Sequence, residues 1–259
     1  MRRSIRINLF IAVIGAILLA ACGGAATPTA ENVPEATVPP LSPDYLGGGM
    51  LYDNWMSALG VDAPAGDHPL WKTQTTNTRT GKDTFRCKEC HGWDYKGVDG
   101  VYASGSHKTG FPGLMGAAAM SAGDLLAWMD GTNNPDHDFS VYFDDTQLAM
   151  VVDFLQKGLT DTSPYINADK TANGDAAHGK ELYTNTCQSC HEEDGRAYNF
   201  GSEDEPEVVG TIAADNPWEF FHKVSYGQPG ANMPSALKNT WTLQDIADLL
   251  AYAKSLPTE

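Results

Sequence analysis

The sequence predicts an all-α protein built from two similar helical halves, and three observations support this fold class. The pattern Gly-x-x-Leu-Tyr opens each half, at Gly48 and at Gly179, with the apolar spacing of a short helix. Each half closes with a stretch, at 148–155 and 246–253, whose apolar residues recur every three or four positions. Between these ends the two halves carry the same short sequence motifs in the same order.

The N-terminal segment has the features of an export signal. Arg2, Arg3 and Arg6 precede an apolar run at 9–19 that is too short for a membrane span. The run ends in Leu-Ala-Ala-Cys22, which resembles the lipobox of bacterial lipoproteins. The resemblance implies a signal peptide at 1–21 and a diacylated Cys22 as the mature N-terminus. The alternative is an ordinary signal peptide cleaved nearby.

Two segments of low apolar content divide the rest of the chain. Residues 22–47 are small, polar and proline-rich, which predicts a disordered, lipid-anchored tether. Residues 161–177 form a second loose stretch and are the predicted linker. The predicted domains are therefore 48–160 and 178–259.

The first half contains an insertion. Tyr183 precedes Cys187 by 4 residues, whereas Tyr52 precedes Cys87 by 35, a difference of 31 residues. The extra residues lie at about 57–86 and are rich in turn formers, without helical periodicity. We expect an ordered loop that packs over the first functional site.

The motif Cys-x-x-Cys-His occurs once in each half. Cysteines at i and i+3 and a histidine at i+4 project from one side of a helical turn, so that they face a single flat ligand. This pattern is typical of c-type haem attachment, in which the thiols bond to the porphyrin edge and the histidine binds the iron. A thioredoxin-like pair and half a zinc site are rival uses, but neither requires the adjacent histidine. The residues are Cys87, Cys90 and His91, then Cys187, Cys190 and His191.

Both halves resemble class I cytochromes c, from the opening glycine to the closing helix. The resemblance implies two tandem domains, each around one covalent haem c, in which the first and last helices cross at a small residue and an aromatic. It also implies that the backbone carbonyls of Pro112 and Pro206 accept hydrogen bonds from His91 and His191. In the second half it assigns Met233 as the distal iron ligand; a buried core methionine is the alternative.

The first half departs from this pattern at the distal position. Met233 lies six residues after Gly227, and six residues after Gly131 stands His137 rather than a methionine. His137 is therefore the predicted distal ligand, which gives the first iron two histidines. The alternatives are Met115, Met120, Met129 and His68.

The excess of acidic over basic residues restricts the kinds of molecule that the protein could bind. The 17 basic residues include three signal arginines, so the mature chain would hold 14 against 33 acidic residues. Nucleic acid is an unsuitable partner for such a chain, whereas redox proteins with basic docking surfaces are suitable. The remaining histidines, His107, His178 and His222, are predicted to lie at the surface.

The resemblance implies electron transfer at the extracytoplasmic face of a bacterial membrane, with lipid at Cys22 as the anchor. A second imidazole favours ferric iron more than a thioether does, so the first haem should have the lower potential. We find no acid, base or nucleophile constellation that predicts an enzyme. A diheme enzyme such as a peroxidase, and a subunit of a respiratory or dehydrogenase complex, are the alternatives.

Overall fold

Helices are the only extended regular elements in residues 42–259, the part of the chain that the computed structural model describes, and no strand occurs among these residues. This confirms the all-α prediction. The predicted signal peptide and Cys22 lie outside the described residues. The helices are α1 (Tyr45–Leu59), α2 (Cys87–His91), α3 (Ala122–Met129), α4 (Asp145–Lys157), α5 (Ala176–Leu182), α6 (Gln188–His191), α7 (Val209–Asp215), α8 (Pro217–Tyr226) and α9 (Leu243–Ala253).

The first and last helices of each half cross at a glycine. α1 packs against α4, and α5 packs against α9. A Cβ atom at Gly48 or Gly179 would overlap a backbone carbonyl of the partner helix, so glycine permits an approach that no other residue allows. An aromatic pair lies beside each crossing, Tyr52 with Phe154 and Tyr183 with Tyr252, with ring centroids 5.3 and 5.4 Å apart.

Folded structure starts earlier in each half than the composition predicts. Helix α1 begins at Tyr45, because the Asp44 side chain accepts a hydrogen bond from the Leu46 N–H at 3.0 Å and caps the helix. Helix α5 begins at Ala176 with Asp175 as its cap. The predicted boundaries at residues 48 and 178 therefore fall inside helices.

The predicted linker is not loose. Ile166 is buried in the core of the second half, and Tyr165 stacks on Phe221 of α8 at 5.6 Å. The polar composition of the segment led to the wrong prediction of a loose linker. Two apolar residues, Tyr165 and Ile166, are enough to pack it against the core. The second half therefore begins to pack well before α5.

Each half has its own hydrophobic core, but α8 of the second half reaches into the first core. Tyr226 belongs to the core of the first half and donates a hydrogen bond from its hydroxyl to the Gly158 carbonyl. Its ring lies where a side chain at Gly49 would be. Three consecutive glycines in α1 cost helix stability, and Gly49 is the one that admits this ring.

A buried ion cluster joins the two halves. The Asp53 carboxylate is fully buried in α1 and contacts Arg86 Nη2 and Lys223 Nζ, both at 2.7 Å. Burial alone raises the pKa of Asp53, but Lys223 and Arg86 outweigh burial and hold the pKa well below its usual range. Arg86 directly precedes α2, and Lys223 lies in α8, so one carboxylate ties the first Cys-x-x-Cys-His helix to the second half.

His222 is buried beside this cluster, contrary to the prediction of a surface position. Its Nε2 lies 3.0 Å from the Gly49 carbonyl, and its Nδ1 lies 2.6 Å from the Tyr95 hydroxyl. A carbonyl only accepts, so Nε2 carries the proton and Nδ1 accepts from Tyr95. Burial lowers the pKa of His222 to about 4 although the charge of Asp53 opposes the shift, so the ring is neutral.

None of the helices within residues 42–259 is both long enough and apolar enough to cross a bilayer.

We expect the interface between the halves to be acid-sensitive because of His222. Its pKa lies near 4 when folded and near 6.5 when unfolded. The unfolded chain therefore binds the extra proton first, and the free energy of unfolding falls as the pH drops from about 6.5 to about 4, by up to about 1.4 kcal/mol per pH unit.

Denaturant unfolding across this pH range should show a shallower slope for His222→Gln than for the natural protein. The control is His178→Gln. The hydrogen bond to Asp248 raises the pKa of His178 above 6.5, so its contribution to stability changes mainly above this range and the slope within it should stay nearly unchanged. An identical slope in His222→Gln would contradict the prediction.

Candidate functional site

The first Cys-x-x-Cys-His motif forms a single helix, α2, with two different faces. Cys87, Cys90 and His91 are partly exposed, whereas Lys88 and Glu89 on the other face are buried. Burial raises the pKa of Cys87 to about 12. A redox-active thiol has a lowered pKa, so the surroundings do not favour a thioredoxin-like pair.

The ring of His91 is oriented by a backbone carbonyl. Its Nδ1 lies 2.8 Å from the oxygen of Pro112, which is the contact that the cytochrome resemblance implies. Burial lowers the pKa of His91 to about 4, so the ring is neutral. Since a carbonyl cannot donate, the proton sits on Nδ1 and Nε2 keeps its lone pair for a metal.

The ring of His137 is oriented in the same way as that of His91. It ends the short turn Pro135–His137, and its Nδ1 lies 2.8 Å from the Trp128 carbonyl, which leaves the Nε2 lone pair available. The centroids of the His91 and His137 rings are 6.4 Å apart.

That separation can be compared with the separation that one iron would require. An imidazole nitrogen lies about 2.0 Å from a bound metal and about 1.1 Å from its ring centre, so two imidazoles on opposite faces of one ion have centres about 6.2 Å apart. The observed 6.4 Å agrees with this value. His91 and His137 therefore fit a haem iron held between two histidines.

His68, an alternative ligand, lies close to this pair but is oriented differently. Its Nδ1 accepts a hydrogen bond from the Leu70 N–H at 3.2 Å, so the proton of the neutral ring sits on Nε2. A metal ligand needs a lone pair on the nitrogen that faces the metal. Burial lowers the pKa of His68 to about 4, which keeps this neutral form.

The alternative methionines lie at the first core. Met129 is buried in it, and Met115 and Met120 pack against its edge. The carbonyl of Met129 accepts a hydrogen bond from Phe139 N–H at 2.7 Å, which closes the loop that carries His137.

The second motif repeats the geometry next to its histidine. Tyr183 donates a hydrogen bond to the Glu192 carbonyl at 2.7 Å, as Tyr52 does to the Gly92 carbonyl at 2.5 Å. In both halves the residue after the histidine has a positive φ, 81° at Gly92 and 62° at Glu192. The two opening tyrosines thus hold equivalent positions behind the two motifs.

The predicted contact between His191 and Pro206 is not formed. Nδ1 of His191 is buried without a hydrogen-bond partner in the described part of the chain. The alignment of the two prolines was wrong by one residue. Val209 N–H donates to the Gly195 carbonyl at 3.3 Å, and Leu114 N–H makes the equivalent bond to the Tyr95 carbonyl at 2.7 Å. These bonds align Val209 with Leu114, but Pro206 lies three residues before Val209 whereas Pro112 lies two residues before Leu114.

This register makes Glu207 the counterpart of Pro112. The Glu207 carbonyl accepts from the Phe200 N–H at 2.7 Å within a turn that the first half lacks, so it is not directed at His191. The rings of Tyr198 and Phe200 instead lie 5.7 and 6.2 Å from the His191 ring.

Met233 lies in a loop equivalent to the one that holds His137. Both loops begin at a glycine with positive φ, 76° at Gly131 and 93° at Gly227. The second loop returns through a hydrogen bond from Ser235 Oγ to the Ser225 carbonyl at 2.6 Å. Met233 is partly buried against the second core.

Sequence reasoning missed the buried ions behind α2. Glu89 is fully buried, with Lys88 Nζ at 3.1 Å, the Arg79 guanidinium in close contact and His107 Nδ1 at 3.6 Å. Burial raises the pKa of Glu89, but these groups outweigh burial and keep the carboxylate ionised. Arg79 belongs to the insertion, which therefore covers the back of the motif as well as the His137 side.

Comparisons with known proteins bear on the second half. A family model described as cytochrome c oxidase, cbb3-type, subunit III matches residues 174–252. Residues 174–252 form a c-type cytochrome domain. The cytochrome domain implies covalently bound haem c and supports a haem-based role in electron transfer. No curated protein and no solved structure matched the chain.

Proposed function

We propose that the chain is an electron-transfer protein with two covalent haems, one on Cys87 and Cys90 and one on Cys187 and Cys190. The observation that carries the proposal is the ring pair of His91 and His137, spaced 6.4 Å apart with both Nδ1 atoms directed at carbonyls. The family match bears on the second haem, and the repeated tyrosine contact supports equivalent sites in both halves.

The proposed ligands make the two haems unequal. His91 and His137 would hold the first iron, and His191 and Met233 the second. A bound haem supplies reversible one-electron chemistry at its iron. A thioether raises the potential relative to a second imidazole, and a separation on the order of 0.2 V lies well within the range that axial ligands span. Electrons would then pass from the first haem to the second.

The protein contributes orientation and a fixed spacing to this transfer. The carbonyls of Pro112 and Trp128 hold the two imidazoles with their Nε2 atoms free. The Asp53 ion cluster ties α1 and α2 to α8, so the two haem motifs belong to one packed unit rather than to two freely tumbling ones. Such packing keeps the distance between the redox centres constant.

We also propose an extracytoplasmic location with lipid on Cys22. The support is the sequence Leu-Ala-Ala-Cys after a short apolar run, followed by a proline-rich tether. A redox partner with a basic surface would suit the acidic chain, which has 33 acidic residues against 17 basic ones.

A second candidate function is a cytochrome subunit of a respiratory complex. The description of the family that matches residues 174–252, a subunit of an oxidase, favours this alternative. Co-purification with a stable membrane partner would favour the subunit, whereas isolation as a single redox-active chain would favour the carrier.

We expect two haems per chain. Intact-mass measurement of protein made with a c-type maturation system should show two haem additions. Cys87→Ala with Cys90→Ala should remove one of them, and Cys187→Ala with Cys190→Ala, the matched variant, should remove the other. A natural protein with a single haem addition would contradict the diheme proposal.

We expect the two haems to differ in ligands. Met233→His should lower the higher potential by on the order of 0.2 V and abolish the methionine-to-iron absorption band, while the other haem stays nearly unchanged. His137→Met should raise the lower potential. Redox titration with paramagnetic resonance spectra measures both effects, and two methionine-type haems in the natural protein would refute His137 as a ligand.

We expect Cys22→Ala to release the protein from the membrane. Two acyl chains give stable anchoring where one does not. Fractionation of cells that produce each form measures the change. Unchanged retention of the variant would instead indicate that a protein partner holds the chain at the membrane.

A further inference from the structure

We propose that His68 is a positioning residue through which the insertion holds His137 in place and closes the first iron to external ligands. The inference depends on the proposed ligand role of His137. The second half has no corresponding insertion, so this constraint would act on the first haem alone.

The contacts of the His68 ring carry the proposal. His68 is 7% exposed and stacks on Phe139, with ring centroids 5.5 Å apart and planes 26° apart. Its edge meets the ring of His137 at 6.0 Å, and Phe139 lies 5.1 Å from His137. The distal imidazole therefore packs against two rings, one from the insertion and one from its own loop.

His68 is itself held firmly by the insertion. Its N–H donates to Thr84 Oγ1 at 2.8 Å, its Nδ1 accepts from Leu70 N–H, and its ring meets Phe85 at 5.3 Å. Leu70 lies in the short turn Pro69–Thr73, whereas Thr84 and Phe85 lie in the short turn Gly81–Phe85. The ring therefore cannot move without disturbing both turns of the insertion.

The backbone of His137 is held by a hydrogen bond from its N–H to the Asn134 carbonyl at 2.8 Å, but its side chain has few other restraints. Its side chain has one hydrogen bond, to the Trp128 carbonyl. The nearby ion pair between Lys72 and Asp136, at 3.3 Å, joins side chains that are 71% and 47% exposed and so contributes little. A ligand on a loop leaves its metal when the loop moves, and packing by His68 opposes that movement.

Carbon monoxide binding to the reduced diheme protein tests the proposal, because the gas must displace a distal ligand. His68→Ala should increase carbon monoxide affinity at the first haem by about tenfold, the size expected for loss of an aromatic contact. His68→Phe keeps a ring in the stack and should restore affinity to near the natural value. Asp62→Ala, a change at an exposed residue of the same insertion, is the control and should have no effect.

A double variant separates positioning from a general loss of stability. In a His137→Ala background the first iron is already open, so His68→Ala should add no further affinity. Phe139→Leu, which removes the ring beside both histidines, should reproduce the effect of His68→Ala if that variant fails to retain its haem.

The outcomes distinguish the two proposals. A natural protein whose spectra lack a haem with two histidine ligands refutes the ligand assignment, and the inference fails with it. A natural protein with that haem, in which His68→Ala and Phe139→Leu bind carbon monoxide no better than the natural chain, overturns the inference and leaves the proposed function intact.

Discussion

The carboxylate of Asp53 is the constraint on which the arrangement of the two halves depends. A fully buried carboxylate is tolerated only when it is paired and hydrogen-bonded. Its two cations come from different places, Arg86 at the start of the first motif and Lys223 in α8. Separating the halves would take Lys223 away from this buried carboxylate and weaken its compensation, so the first core, the first motif and the second half stabilise one another.

Backbone hydrogen-bond partners decide which histidines keep a lone pair for the proposed iron. The rings of His91 and His137 each direct Nδ1 at a carbonyl, whereas the Nδ1 of His68 faces an N–H. These partners fix the position of the proton on each ring, and so the nitrogen that keeps a lone pair. Of these three neighbouring histidines, His91 and His137 keep a lone pair on Nε2, whereas His68 carries its proton there.

The surroundings of the two proximal histidines differ as much as the proposed distal ligands do. His91 has the Pro112 carbonyl, and the insertion covers both the back of its helix and the His137 loop. His191 lies against Tyr198 and Phe200, whose rings are about half exposed. A hydrogen bond to an iron-binding histidine and lower exposure both alter a haem potential, so these surroundings would add to the effect of the proposed distal ligands on the two proposed haems.

The sequence by itself determined the all-α class and the two motif helices, because apolar periodicity and the Cys-x-x-Cys-His spacing depend on residues within a few turns of one another. The crossings at Gly48 and Gly179 join distant residues, and only the resemblance to class I cytochromes c implied them. The sequence also indicated the place of His137 through its distance from Gly131. It misplaced Pro206 by one residue, because a turn in the intervening loop shifts the register without any local signal.

Only the tertiary structure decided the burial of His222, the ion cluster of Asp53 and the packing of His68 on Phe139. These features join residues that are far apart in the chain, up to 173 positions for Gly49 and His222. Local spacing specifies which side chains share a helix face, but it carries no information about which distant backbone group a ring will meet. The contact with that distant group sets the proton position and the charge of each buried side chain.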